Sequence, residues 1–287
     1  MKCLHHTDAD GKCAAYWVHK RFPVMTADDF IMIDYDLTVD WYSKIEKDEH
    51  VYIVDFSLEL DDMRKLLAKT KNVVWIDHHK TSIDKYKDFE VEIKGLRYDG
   101  IAGCMLTWAY FNKTNDGRIP FDPKMCNEAP WMTKYVHDHD VWKHEYEDET
   151  RHFSIGLLGA GDISPLNPIW DRLLNIEEVR KIIEEGSIMV KYRDSIGHNA
   201  CINNGFEYDI KGHKAFCLNN VFGGSEWFGD IVDKYDMVCS FFFNADTGIW
   251  SYSLYSTKID TSEISKSYGG GGHKLASGFQ IKEFIFK

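Results

Sequence analysis

Three apolar runs, each ending in acidic or histidine residues, limit what this chain can fold into more than any other feature. Residues 1–4 run into His5-His6-Thr7-Asp8-Ala9-Asp10-Gly11, residues 51–54 into Asp55, and residues 73–76 into Asp77-His78-His79. A short apolar run without alternation reads as a strand buried on both faces. In an open parallel sheet, functional groups lie just past the carboxyl ends of the strands. Three such ends would gather carboxylates and imidazoles at one place. Left alone, those carboxylates repel one another and take up protons. A pair of divalent cations is the natural counter-charge.

The first half of the chain alternates in the way such a sheet requires. Apolar runs at 1–4, 30–33, 51–54 and 73–76 are separated by helical patterns, clearest at 12–21 and 61–69. Strand and helix in alternation predict a mostly parallel sheet flanked by helices. Residues 103–111 read as a further buried helix, and 124–136 as a helix ending at His137-Asp138-His139-Asp140-Val141-Trp142. The Gly- and Pro-containing stretch 156–171 reads as loop or short helix. Asn175 caps a long amphipathic pattern over 176–192, read as the connector between two domains. Beyond it the texture changes to strands at 206–210, 215–218, 237–244 and 250–256, with a helix at 225–235. The expected architecture is α/β: a catalytic domain over 1–174, a connecting helix over 175–199, and a smaller domain with a mixed sheet over 200–287.

At 287 residues the chain is long enough for one large or two modest domains with real cores. No apolar run approaches the roughly 20 residues of a membrane span, and Met1-Lys2-Cys3-Leu4 has no signal-peptide pattern. Seven scattered cysteines without a Cys-x-x-Cys pair fit buried thiols in a reducing cytoplasm. The formal net charge of −12 argues against a protein that coats long nucleic acid. It leaves room for a short anionic substrate held by metals. Trp227 and Trp250 read as core residues rather than base platforms.

His6 to Gly11, the strand-end Asp55 and Asp77-His78-His79 resemble motifs I, II and III of the DHH phosphoesterase family. Near the far end, Gly269-Gly270-Gly271-Gly272-His273-Lys274-Leu275-Ala276-Ser277-Gly278-Phe279 resembles the GGGH signature of the companion DHHA1 domain. The motifs span almost the whole chain, and it is their order and spacing together that make them specific. The resemblance implies an N-terminal DHH domain, a C-terminal DHHA1 domain, and an active site in the cleft between them.

It also implies a site. One cation would take a motif I histidine, Asp8 and Asp55. The second would take Asp10, Asp55, His78 and a later aspartate, so that Asp55 bridges. Asp77 would orient a neighbouring imidazole, and His79 would face the substrate phosphate. Catalysis thus falls to Asp8, Asp10, Asp55, Asp77, His78 and His79. In one common form of motif I the histidine lies four residues before the first aspartate; here that position is Leu4. Both His5 and His6 are available. On an extended strand His6 shares its face with Asp8 and Asp10, which favours His6. The fourth motif, with an aspartate about four residues before an aromatic, picks Asp138 before Trp142, with Asp140 as the alternative. Asp34 and Asp36 read as turn residues after a strand. No cysteine falls in the motifs, so Mn²⁺, with Mg²⁺ as the alternative, suits the donor set.

The four glycines let backbone N–H groups approach an anion, and a helix beginning near His273 would add its positive end. Gly270, Gly271, Gly272 and His273 are the expected substrate contacts, with Ser277 a weaker one. The expected activity is a metal-dependent phosphodiesterase. Two cations would activate water against a short oligonucleotide (nanoRNA) or a small nucleotide phosphoester such as 3′-phosphoadenosine phosphate. A RecJ-like single-strand exonuclease, a cyclic-dinucleotide phosphodiesterase and a non-catalytic nucleotide sensor are the competing readings. An inorganic pyrophosphatase shares the catalytic motifs but lacks the GGGH signature. No membrane and no long duplex is expected as partner; a homodimer is compatible with this reading.

Overall fold

The computed structural model describes residues 1–34, 39–221 and 224–286. The chain divides into two compact units, Met1–Met189 and Val190–Lys287. In the first, β1 (Lys2–His5), α1 (Ala9–Arg21), β2 (Phe30–Met32), β3 (Val51–Val54), α2 (Leu60–Lys69), β4 (Val73–Ile76) and α3 (Lys80–Lys85) alternate as expected. Helices α4 (Gly103–Asn112), α5 (Trp131–Asp140), α6 (Asp148–Gly159) and α7 (Ile169–Arg172) follow, and α8 (Ile176–Asn204) runs across the division.

The four strands form a wholly parallel sheet in the order β2-β1-β3-β4. Alternate side chains of each strand point to opposite faces, and both faces are covered. Cys3, Tyr52, Val54 and Ile76 pack with residues of α1, α4 and α5 on one side. Leu4, Ile53, Val73 and Trp75 pack with Met63, Leu66 and Leu67 of α2 on the other. The register sets His5 beside Val54 and Val54 beside Ile76. Strands β1, β3 and β4 therefore end level, and His6, Asp55 and Asp77 follow their carboxyl ends.

The second unit holds a mixed sheet of β5 (Phe206–Ile210), β6 (His213–Asn219), β7 (Met237–Asn244), β8 (Ile249–Tyr255), β9 (Gly271–His273) and β10 (Ala276–Ile281), with α9 (Thr261–Ser267). Its order is β5-β6-β7-β8-β10-β9, and only β6 and β7 run parallel. Stacked rings of Tyr252, Phe279 and Tyr268 form part of its core, with centroids 4.8 and 4.3 Å apart.

Several elements differ from the sequence expectation. The pattern over 124–136 is a 3₁₀ turn, Pro123–Glu128, followed by α5, because Pro130 at the cap position of α5 cannot sit inside a continuous helix. Helix α6 occupies ground read partly as loop. The connector helix ends at Asn204, not near residue 192. The helix expected over 225–235 is two short 3₁₀ turns, Ser225–Trp227 and Gly229–Ile231, with Gly229 in the left-handed region at φ 50°. All seven cysteines are free thiols. Among the described residues no helix is long and apolar enough to cross a membrane. Asp36 lies outside the described residues.

Candidate metal centre

The site starts where β1 ends. Asp8 caps α1, its carboxylate accepting from the Gly11 N–H at 2.8 Å. The chain therefore turns within three residues of the strand, and His6, Asp8 and Asp10 do not lie on one extended strand. The same-face argument for His6 thus fails, yet His6 does face the acids. Its Nδ1 lies 2.8 Å from Asp8 Oδ2 and 3.8 Å from Asp55 Oδ2. The hydrogen bond to Asp8 raises the His6 pKa against the opposing effect of burial. His5 turns away. It is buried, its Nδ1 is 2.8 Å from the His6 carbonyl oxygen, and burial pushes its pKa down to about 4.

Asp10 is held from both sides. Gly103 N–H donates to Oδ2 at 2.7 Å and Cys104 N–H to Oδ1 at 2.8 Å, at the N-terminus of α4. These are donors that a helix leaves unsatisfied, at its positive end. Asp55, one residue past β3, adopts φ 54°, a left-handed conformation uncommon outside glycine. Such outliers gather at functional sites. Its carboxylate is 1 % exposed.

His78 meets three carboxylates. Its Nε2 lies 3.2 Å from Asp55 Oδ1, 3.3 Å from Asp140 Oδ2 and 3.7 Å from Asp10 Oδ2. Asp77 is the scaffold beneath. One of its oxygens accepts from the His78 N–H at 2.7 Å and lies 2.7 Å from His79 Nδ1; the other accepts from the Ser57 hydroxyl. Burial opposes ionisation of Asp77, but the hydrogen bond and charge of His79 outweigh it and keep the pKa low. The same bond raises the pKa of His79.

The fourth segment corrects one expectation. Asp138 does not reach the cluster. Its carboxylate accepts from Glu145 N–H at 2.8 Å, Tyr146 N–H at 3.3 Å and the Thr150 hydroxyl. Asp140 reaches it instead. At about 100° per residue on α5, side chains two apart point to opposite sides, so only one of the pair faces Asp10 and His78. Asp34 is more than a turn residue. Because β2 lies beside β1, Asp34 Oδ1 comes 3.7 Å from His6 Nε2, and its Oδ2 accepts from Thr7 Oγ1 at 2.7 Å.

Three donor sets have ligand atoms within 4.8 Å of one another: His6, Asp8 and Asp55; Asp10, His78 and Asp140; and Asp55, His78 and His79. Both Asp55 oxygens, His78 Nε2 and Asp140 Oδ2 are buried without a hydrogen-bond partner among the described residues. Buried polar atoms are ordinarily satisfied. Burial, then the charges of Asp10 and Asp8, raise the Asp55 pKa well above its usual range; the same causes push Asp140 up to about 8. Oxygen and imidazole donors in two sets sharing Asp55 fit a pair of hard or borderline divalent cations.

In the second unit, Gly271–His273 is strand β9 rather than the start of a helix, so no helix terminus stands at His273. The glycines have a packing reason. A Cβ on Gly270 would come 2.1 Å from the Gly278 carbonyl oxygen, and one on Gly272, at φ 133°, 2.6 Å from Ser277 Cα. Gly271 meets nothing within 4 Å, and His273 and Lys274 are exposed. Ser277 is buried, its hydroxyl bonded to those of Ser265 and Thr261 at 2.7 and 2.9 Å.

The whole-chain topology matches solved structures. A pGpG-specific phosphodiesterase from Vibrio cholerae aligns with a TM-score of 0.57 over 98 % of this chain and 93 % of its own, at 14 % identity. The DHH domain of a protein assigned to a family of ribosomal proteins aligns with a TM-score of 0.57 over 98 % of this chain and 82 % of that one, also at 14 % identity. The chain has the DHH fold. The likeness to a DHH domain extends over the sequence of both units. No protein-family model matches the chain. An uncharacterized protein of Acanthamoeba polyphaga mimivirus is 21 % identical over 281 residues, covering 92 % of this chain. The chain spans 62 % of that relative's length.

Proposed function

We propose that the cluster in the first unit is the centre of a divalent-cation-dependent phosphodiesterase acting on short oligonucleotides or small nucleotide phosphoesters. The observation that carries this reading is the set of buried, hydrogen-bond-free lone pairs on Asp55, His78 and Asp140. His6, Asp8 and Asp55 would hold one cation, and Asp10, His78 and Asp140 the other, with Asp55 shared. Two such ions, when bound, lower the pKa of water and stabilise charge on the phosphoryl oxygens.

The chain's own groups supply the rest. The bonds from Gly103 and Cys104 fix the Asp10 carboxylate, so its orientation is set before any ligand arrives. Asp77 engages Nδ1 of His79 and leaves Nε2 to point onward. With its pKa raised, His79 carries a proton at neutral pH in a larger fraction of molecules, and Nε2–H can donate to a phosphate oxygen. The exposed His273, with the Gly270–Gly272 backbone, is assigned a substrate contact on the strength of its motif. Mn²⁺ is the expected cation and Mg²⁺ the alternative.

The fold neighbour whose name specifies pGpG favours a linear dinucleotide as the substrate class. The net charge of −12 disfavours a long polyanion. The test sets a 5′-phosphorylated dinucleotide against a single strand of about 20 nucleotides, with Mn²⁺ and an EDTA control. EDTA-sensitive cleavage of the dinucleotide alone is the expected outcome. Processive shortening of the long strand would replace it with an exonuclease, and no cleavage of either would remove the short-diester reading.

A further inference from the structure

A cavity of about 220 Å³ opens beside the acid cluster, sharing Asp8, Asp10 and Asp140 as one wall. The remaining wall is aromatic and aliphatic: Tyr135, Val136, Phe153 and Leu157, all buried. Ser154 and His139 supply the polar atoms. Trp142 stands at its edge and is 75 % exposed, the most exposed of the nine tryptophans. Its indole meets the rings of His139 and His144, with centroids 6.0 and 5.4 Å away, and still leaves most of its surface to water. Its position is not relaxed: Trp142 adopts φ 53°, a conformation that a bulky side chain rarely takes. His144 and Glu147 in the same loop also have positive φ, at 53° and 50°.

What holds this loop is Asp138. Its buried carboxylate accepts from the backbone of Glu145 and Tyr146, and its carbonyl oxygen accepts from Lys143 N–H at 3.2 Å. The aspartate that fails to join the acids thus fixes the segment that presents Trp142. Strain of this kind persists only where the surroundings over-determine it, and it gathers at ligand sites.

We infer that this cavity is a nucleobase pocket and Trp142 its stacking platform. The inference rests on the phosphodiesterase reading of the adjoining cluster. A phosphate held by cations at Asp10 and Asp140 would lie beside the wall that these acids share with the cavity. A carboxylate-edged, aromatic-lined hollow suits a planar neutral ring with polar edges and disfavours a second phosphate. The volume lies below the roughly 300–1,000 Å³ of pockets for drug-sized ligands, so it takes one ring system rather than a whole dinucleotide. Base-on-aromatic stacking tolerates any base, so the pocket gives affinity for a nucleotide without choosing its sequence.

The test compares two diesters on the Mn²⁺-loaded full chain: a ribodinucleotide, and the same sugar–phosphate diester with both bases deleted. The expected KM for the abasic diester is higher by about five- to 150-fold, the range that stacking of one base spans. In Trp142→Ala and in Ser154→Phe, which fills the cavity, that ratio falls toward one. Equal KM values in the wild type, or a ratio that neither variant changes, would overturn the pocket. If neither diester is cleaved, the hydrolytic reading fails by itself. Calorimetric titration with a nucleoside 5′-monophosphate against ribose 5-phosphate then decides the pocket. Tighter binding of the nucleotide that both variants abolish retains it, and equal binding of the two overturns it.

Discussion

A Cβ placed on Gly103 would lie 2.5 Å from the Cβ of Asp55 and 2.8 Å from its Oδ1. The first residue of α4 is therefore pressed against the carboxylate that two of the three donor sets share. The same residue donates its N–H to Asp10. Gly103→Ala must push one of these acids aside. Crowding of this kind costs about 1–3 kcal/mol, and the expected result is a lower melting temperature together with weaker Mn²⁺ binding. An alanine variant that binds Mn²⁺ as tightly as the wild type would show that the close approach has no bearing on the site.

Asp138 and Asp140 should separate cleanly. Asp138→Ala leaves Glu145 N–H, Tyr146 N–H and the Thr150 hydroxyl without an acceptor. Of these donors the Thr150 hydroxyl is fully buried, and at about 1–3 kcal/mol for an unsatisfied buried group chemical denaturation should show a loss of at least about 1 kcal/mol. Asp140→Asn replaces a carboxyl that burial and the neighbouring acids make costly to ionise. It should leave the metal-free protein as stable or more so, while costing at least the ~10–100-fold in metal affinity or activity that loss of an outer partner costs. The reverse pattern would return Asp138 to the cluster.

The raised pKa values give the metal-free protein an unusual pH dependence. Asp140, pushed up to about 8, keeps a proton that the unfolded chain has already lost. The folded state binds more protons across that window, so its stability falls as pH rises toward 8. Melting curves in EDTA should fall from about pH 5 to 8 and level off above that, and Asp140→Asn should flatten the drop. Cations displace these protons, so Mn²⁺ titrations in buffers of different ionisation enthalpy should show proton release. A melting temperature that rises over this interval in EDTA would contradict the assignment.

His137 acts with the opposite sign at lower pH. Burial, then the charge of Lys143, hold its pKa near 4, and its Nδ1 accepts from Ala102 N–H at 3.1 Å. Here the unfolded chain binds the extra proton. The stability His137 contributes is present above about pH 6.5 and is lost as pH falls toward 4. Relative to His137→Gln, the wild type should lose about 1–2 kcal/mol more on going from about pH 7 to 5. An equal loss in both would place the acid sensitivity elsewhere.

The parts of the fold legible in the sequence are those set by burial on both faces. Strands β3 and β4 match their apolar runs residue for residue because no polar residue interrupts them. Their level ends follow from parallel pairing, so spacing alone is enough to bring Asp55 and Asp77-His78-His79 together. The rest depends on facts that spacing does not carry. Asp34 needs β2 to lie beside β1. The choice between Asp138 and Asp140 needs the rotation of α5, which sequence distance to an aromatic does not give. The turn after His5 needs Asp8 to act as a cap. A glycine run is as compatible with a helix start as with a strand, but here the glycines let β9 pass close to β10. Trp142 has no signature of a platform in the sequence, because its exposure depends on the backbone that Asp138 holds.

Everything proposed for the site turns on two cations sharing Asp55. Anomalous diffraction at the manganese edge, from crystals of the protein grown with Mn²⁺, decides whether they do. Two peaks about 3.5–4 Å apart are expected, one beside His6 and Asp8, the other beside Asp10, His78 and Asp140, with Asp55 touching both. No peak at this cluster at millimolar Mn²⁺, or a single peak that Asp55 does not contact, would refute the shared-carboxylate centre.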